Sequence, residues 1–183
     1  ALFSETFKSE DSIVSPLIAS GTHAISSVLY GLLRPGDRFL SISGKPYDTL
    51  EDVISGQNNG SLKNFGIDFD FIDLTQDSQF NVDKILSSIK ATDYKLLFIQ
   101  RSRGYNWRKA LSIAQIETII GEIRKVSDIP VVIDNCYGEF VETKEPTEVG
   151  ADIIVGSLIK NPGGGLAATG GYVSGKKELI EQI

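Results

Sequence analysis

The residues best suited to chemistry stand at the ends of apolar runs. Lys160 lies in Gly156-Ser-Leu-Ile-Lys160-Asn-Pro-Gly-Gly-Gly165-Leu166, directly after one such run and before three successive glycines. That setting favours a partly buried, positioned ammonium, and desolvation would lower its pKa and make it nucleophilic. The plain alternative is a solvated lysine beside a flexible loop. Asp134 closes Pro130-Val-Val-Ile-Asp134. An acid there caps the next turn, binds a metal or holds a protonated ring nitrogen; Cys136 and Glu139 form no recognised ligand spacing with it, which weakens the metal reading. Ser20-Gly21-Thr22-His23 opens a helical stretch. Glycine there lets a ligand approach the backbone, and the free N–H groups of a first helical turn attract phosphate. An ordinary Ser/Thr N-cap would use the same residues. Neither G-x-G-x-x-G nor G-x-x-x-x-G-K-[ST] occurs, so dinucleotide and P-loop binding have little support.

These residues need a scaffold, and the apolar patterning supplies one. Arg38–Ile42, Asp68–Leu74, Lys95–Ile99, Pro130–Asp134 and Asp152–Gly156 have strand length and composition, with Gly170–Ser174 as a sixth strand and Ile13–Ile18 as another candidate. Helical spacing covers Thr22–Leu33, Tyr47–Ile54, Val82–Ile89 behind Asn81, and Ser112–Val126 with Ser112 as cap. The ends, at Ala1 and over Lys176–Ile183, also read as helix, so the chain is expected to be a piece of a larger protein. Strands alternating with helices imply right-handed βαβ units. The expected fold is therefore α/β: one three-layer αβα domain, residues 1–183, around a mostly parallel sheet covered on both faces. Ligands of such sheets bind beyond the carboxyl ends of the strands. Ser20-Gly21-Thr22, Gln100-Arg101-Ser102-Arg103, Asp134-Asn135, Ser157 and Lys160 all follow strands, so a phosphate cradle, a carboxylate and an amine converge on one edge.

Composition narrows the function classes. The 183 residues carry a net charge of −6 without a basic cluster, which disfavours nucleic acid and anionic membranes as partners. No apolar run approaches the ~20 residues of a membrane-spanning helix. One cysteine excludes an internal disulfide framework and fits a cytoplasmic setting. A single histidine and a single cysteine leave any metal site leaning on carboxylates, so none is expected. Plain readings cover the remaining singular residues. His23 caps or packs, Cys136 is a small packed residue, Tyr105 and Trp107 form a packed aromatic pair, and Glu51 and Asp52 lie on a solvated helix face.

Taken in order, Ser20-Gly-Thr-His-Ala-Ile25, Ser43-Gly-Lys-Pro-Tyr-Asp-Thr-Leu50, Ile99-Gln-Arg-Ser-Arg-Gly-Tyr105, Ile133-Asp-Asn-Cys-Tyr-Gly-Glu-Phe140 and Gly156-Ser-Leu-Ile-Lys-Asn-Pro-Gly-Gly-Gly165 resemble the fold-type-I enzymes that use pyridoxal 5′-phosphate. Within their Cys/Met-metabolism group they resemble the aluminium-resistance-protein family, described as carbon–sulfur lyases. The resemblance covers essentially the whole chain, although family members extend beyond both of its ends and carry a small C-terminal domain. It implies that Lys160 binds the cofactor aldehyde and moves the Cα proton, and that Asp134 pairs with the pyridinium nitrogen. Ser20, Gly21, Thr22 and Ser157 would hold the phosphate, and Tyr47 would stack on the ring. Gln100 or Arg101 stands where related enzymes place an Asn near the ring hydroxyl. Ile159 replaces the Thr that precedes the lysine in better-known lyases, so one phosphate hydrogen bond is missing or supplied elsewhere. Arg101 and Arg103 either bind a carboxylate or phosphate, or form surface ion pairs.

The expected activity is elimination from a small sulfur-containing amino acid by a homodimer or homotetramer, like cystathionine beta-lyase or methionine gamma-lyase. An aminotransferase, an aldolase or a cofactor-binding protein without turnover are the alternatives.

Overall fold

The structure is a computed structural model and describes residues 2–57 and 60–183. In chain order the elements are α1 (Leu2–Thr6), β1 (Asp11–Ser15), α2 (Gly21–Leu32), β2 (Arg38–Ser41), α3 (Asp48–Ser55), β3 (Asp68–Phe71), α4 (Val82–Ala91), β4 (Leu96–Gln100), α5 (Ile113–Arg124), β5 (Val131–Asp134), β6 (Ile153–Ser157), β7 (Gly171–Gly175) and α6 (Lys177–Ile180). One sheet joins the described strands in the order β1-β7-β6-β5-β4-β2-β3. Neighbours from β6 to β3 run parallel, whereas β7 is antiparallel to β6 and β1 antiparallel to β7. The β6–β7 connection holds the short 3-10 helix Asn161–Gly163 and no crossover α-helix, and β7 returns antiparallel.

Alternation along the strands builds two cores. Leu97, Ile99, Val131 and Ile133 pack with the Ile-rich face of α5 and with Ile85 and Ile89 of α4. Their sequence neighbours Leu96, Phe98 and Val132 pack on the other side with Ala24, Ile25, Val28 and Leu29 of α2 and Leu50 and Ile54 of α3. Each fully buried Ile contributes about 1.5–3 kcal/mol, so the five buried isoleucines of α5 anchor that helix strongly. This is the expected three-layer α/β arrangement.

The caps act locally. Ser112 and Gln115 form a capping box at α5, and the Asn81 side chain accepts the Lys84 N–H at α4. Several boundaries shift from expectation. The strand expected at Ile13–Ile18 is Asp11–Ser15, because Pro16 lacks an N–H for the ladder. Strand β3 ends at Phe71 rather than Leu74, and Tyr47 is the N-cap of α3 rather than its first turn. At the carboxyl end only Lys177–Ile180 is α-helical, and the expectation at Ala1 lies outside the described residues. Among the described residues no helix is long and apolar enough to cross a membrane.

Gly156 on β6 is closely packed by polar groups near the strand end. A Cβ there would stand 2.5 Å from Glu139 Oε1 and 2.6 Å from the Tyr172 hydroxyl. Gly156→Ala is expected to destabilise the protein by about 1–3 kcal/mol through overpacking, read as a lowered urea midpoint.

Candidate active site

The carboxyl ends of β4, β5 and β6 bring the chemical residues together. Gln100 and Asp134 are partners across the β4–β5 ladder, and Asp134 pairs with Val155 of β6. Two residues beyond Val155 is Ser157, and three further on is Lys160. The loop after β5 turns sharply through Tyr137, whose φ of +66° is left-handed. That turn carries its ring under the amine, 4.4 Å from Lys160 Nζ, a cation–π distance.

The amino end of α2 closes the crevice. Ser20 accepts the His23 N–H at 3.1 Å, the cap that the plain reading expects. His23 Nδ1 in turn accepts the Ala19 N–H. Gly21 and Thr22 are the first helical residues, so helix geometry leaves their N–H groups without an intrahelical acceptor. Gly21 packs against the crevice floor: a Cβ there would lie 3.0 Å from Cys136 Sγ and 3.4 Å from the Ser157 Cβ. Ser157 is buried, its hydroxyl 3.5 Å from the Gly170 carbonyl. The Thr22 hydroxyl is 3.0 Å from that of Tyr47. Thus Gly21 and Ser157 meet at Cys136, Thr22 meets Tyr47, and Lys160 faces Asp134, with Ser20 capping the helix beside them.

The electrostatics are set by burial and by one cation. Burial pushes the Asp134 carboxyl up, while the Cys136 amide, donating to Oδ1 at 3.1 Å, and the Lys160 ammonium oppose it. Burial alone would lower the Lys160 amine, as the sequence reading expects. Cys136, Asp134 and Tyr137 outweigh burial, so the amine is held above the ordinary lysine value. This corrects the expectation: in this arrangement the amine is a well-kept ammonium. Burial, then Asp134, pushes the Tyr47 phenol up, so its ring stays neutral. Burial likewise pushes the Cys136 thiol up, which fits a packed residue rather than a nucleophile.

Other residues fall elsewhere. Gln100 is buried and spent on structure: its Oε1 accepts the Tyr47 N–H at 3.2 Å, and its Nε2 donates to Ser102 O. Arg101 is buried too, donating to Asn135 Oδ1, Gly138 O and Glu142, each at 2.8 Å. It is neither a surface ion pair nor a free anion site, but a clamp on the loop after β5. Arg103 stands 5.5 Å over the Trp107 ring. Tyr105 and Trp107, expected as a packed pair, are 86% and 96% exposed, so among the described residues neither is covered. A cavity of about 560 Å³ opens beside Tyr137, walled by Arg101, Arg103, Leu111, Val141 and Glu142.

Comparison with known proteins bears on this geometry. A family model for methionine gamma-lyase matches residues 1–183. The chain belongs to that family. It is similar to the protein YnbB of Bacillus subtilis, with 49% identity over 99% of this chain and 44% of the relative. It also resembles the crystal structure of a carbon–sulfur lyase involved in aluminum resistance from Clostridium novyi NT, at 47% identity and TM-score 0.93, covering 99% of this chain and 44% of that one. A more distant structure, from Campylobacter jejuni, has 29% identity and TM-score 0.69 over 98% of this chain and 39% of its own. Its assignment as an O-acetylhomoserine (thiol)-lyase is provisional, and it carries a pyridoxyl phosphate group on a lysine. The chain spans less than half the length of these relatives.

Within the family frame, Tyr137 is the residue without an expected role, and the sequence reading weighs Glu139 only as a metal ligand beside Asp134. Both sit in the quoted stretch Ile133–Phe140. The signal was an aromatic residue beside a glycine immediately after a strand-closing acid.

Proposed function

We propose that the protein containing this chain is a pyridoxal 5′-phosphate-dependent lyase that breaks a carbon–sulfur bond in a small sulfur-containing amino acid. The observation that carries the reading is that the Lys160 amine faces the Asp134 carboxyl at the strand ends on which the amino end of α2 packs. The residues fit the cofactor. The amino end of α2 comes within contact of Cys136 and Ser157 only because residue 21 has no side chain, and a Cβ there would meet Cys136 Sγ. The N–H groups of Gly21 and Thr22, left without intrahelical acceptors, with the Ser157 hydroxyl and the Ser20 turn, suit a phosphate. Asp134 suits a protonated ring nitrogen, and the neutral Tyr47 ring suits stacking.

When bound, the cofactor supplies an electron sink conjugated to the substrate Cα. The chain's own residues do the remainder. Lys160 would hold the aldehyde through Nζ and, as the neutral amine, would carry the Cα proton there. Asp134 keeps the ring nitrogen protonated. Thr22 orients the Tyr47 hydroxyl, and Tyr137 supports the ammonium from below. The family's name and the lyase name of the Clostridium novyi relative support a sulfur-containing substrate.

The test uses the full-length protein. Borohydride reduction after incubation with pyridoxal 5′-phosphate is expected to fix the cofactor on Lys160, located by peptide mass. Cystathionine or methionine is then expected to yield a thiol, ammonia and a keto acid. An adduct on another lysine would remove the assignment. A fixed cofactor on Lys160 with amino-group transfer, or with aldehyde release from threonine, would keep the site and replace the reaction.

A further inference from the structure

The mechanism above leaves one buried acid unused. Glu139 is 1% exposed, and its Oε1 accepts the Tyr172 hydroxyl at 2.9 Å. Its Oε2 is buried and has no hydrogen-bond partner. The carboxyl lies against Gly156 of β6, whose missing side chain makes room for it. The charged and titratable groups facing it come from each packed element. Asp134 and Cys136 stand at the end of β5, Tyr172 on β7, and Glu145 in the following loop. Arg101 sits across Glu145, with its Nη1 3.9 Å from that carboxylate, and its other Nη is bound to Glu142. No cation contacts Glu139 among the described residues.

Asp134 is situated differently, although it is equally buried. It accepts the Cys136 N–H and faces the Lys160 ammonium. Two buried carboxyls that feel each other's charge do not ionise alike; the one that faces the cation takes the charge. An ionised Glu139 would leave a charged oxygen without a donor.

We propose that Asp134 and Glu139 form an unequal carboxyl pair, in which Glu139 is a positioning residue that keeps its proton so that Asp134 alone carries negative charge at the crevice. The role rests on the cofactor reading above, because it reserves Asp134 for a ring nitrogen. The pairing itself is testable without cofactor. Burial, reinforced by Asp134 and Glu145, holds the Glu139 carboxyl at about 7.

Infrared titration of the cofactor-free, full-length protein reads the pair directly. The carbonyl stretch of a protonated, buried carboxyl is expected to persist at pH 6 and to vanish as pH rises through about 7. Glu139→Gln should remove that band. Asp134→Asn should retain it and move its loss to lower pH by roughly half a unit to one unit, since one opposing charge is gone. A band that disappears with Asp134→Asn and survives Glu139→Gln would overturn the proposal, as would an Asp134→Asn band with an unmoved midpoint. Should Glu139→Gln not fold, Tyr172→Phe serves in its place: it removes the donor to Oε1 and should move the midpoint upward.

Stability gives a second measurement. The native state binds this proton more tightly than the unfolded chain, so wild-type stability should fall as pH rises from the ordinary carboxyl range through about 7. Glu139→Gln should flatten that fall. If the band and its shifts appear but pyridoxal 5′-phosphate does not bind, the pair stands and the cofactor reading fails.

Discussion

Lys160→Ala is expected to lower turnover of sulfur-containing amino acids by the full-length protein roughly 10²- to 10⁴-fold, the usual contribution of a positioned proton-transfer group. Nζ is the one amine at the carboxyl ends of β5 and β6 that faces both Asp134 and Tyr137. On the proposed reading, its removal takes away the covalent anchor for the aldehyde and the carrier of the Cα proton together. The variant should still hold the phosphate at the amino end of α2, so cofactor should be retained noncovalently and lost on gel filtration faster than from wild type. A small primary amine added to the buffer should restore part of the rate. Lys160→Arg should not regain the lost rate, because a guanidinium stays protonated and cannot take up a proton. Full activity in Lys160→Ala would end the proposed assignment.

The largest effect on stability is expected at Arg101. Arg101→Ala should cost about 3–5 kcal/mol, the range for removing one partner of a buried ion pair, measured by denaturant unfolding of the full-length protein. The guanidinium bonds Asn135 Oδ1, the Gly138 carbonyl, the Leu111 carbonyl and Glu142. Without it, the buried Glu145 loses its nearest cation, and Asn135 loses a donor one residue from Asp134. The loop that carries Cys136, Tyr137 and Glu139 would relax, so cofactor affinity should fall with stability. Arg101→Lys should recover little, because an ammonium cannot span these four acceptors in a fixed fork. A loss below 1 kcal/mol would show that the clamp is ornamental.

How much of this was legible beforehand depended on range. The strand ends and the acid and amine beyond them could be read in the sequence because side-chain alternation and helical spacing are local. Val131-Val132-Ile133 announces a strand covered on both faces, and Asp134 must then emerge at its carboxyl end. The Ser112 cap was legible for the same reason: its partner is three residues away.

What the chain order concealed are the contacts that span the fold. Glu139 meets Tyr172 across 33 positions, and Arg101 meets Asn135 across 34. A polar residue's burial depends on whether a distant partner satisfies it, and no local pattern carries that information. The same limit explains Tyr105 and Trp107, whose apolar character suggested packing while the fold brought nothing to cover them. Sequence alone determined the α/β scaffold and the acid and amine at its rim, because hydrophobic periodicity is written residue by residue. Tertiary structure alone decided which charges are buried, which face one another and which keep their protons, because those depend on desolvation and on neighbours brought together only by folding.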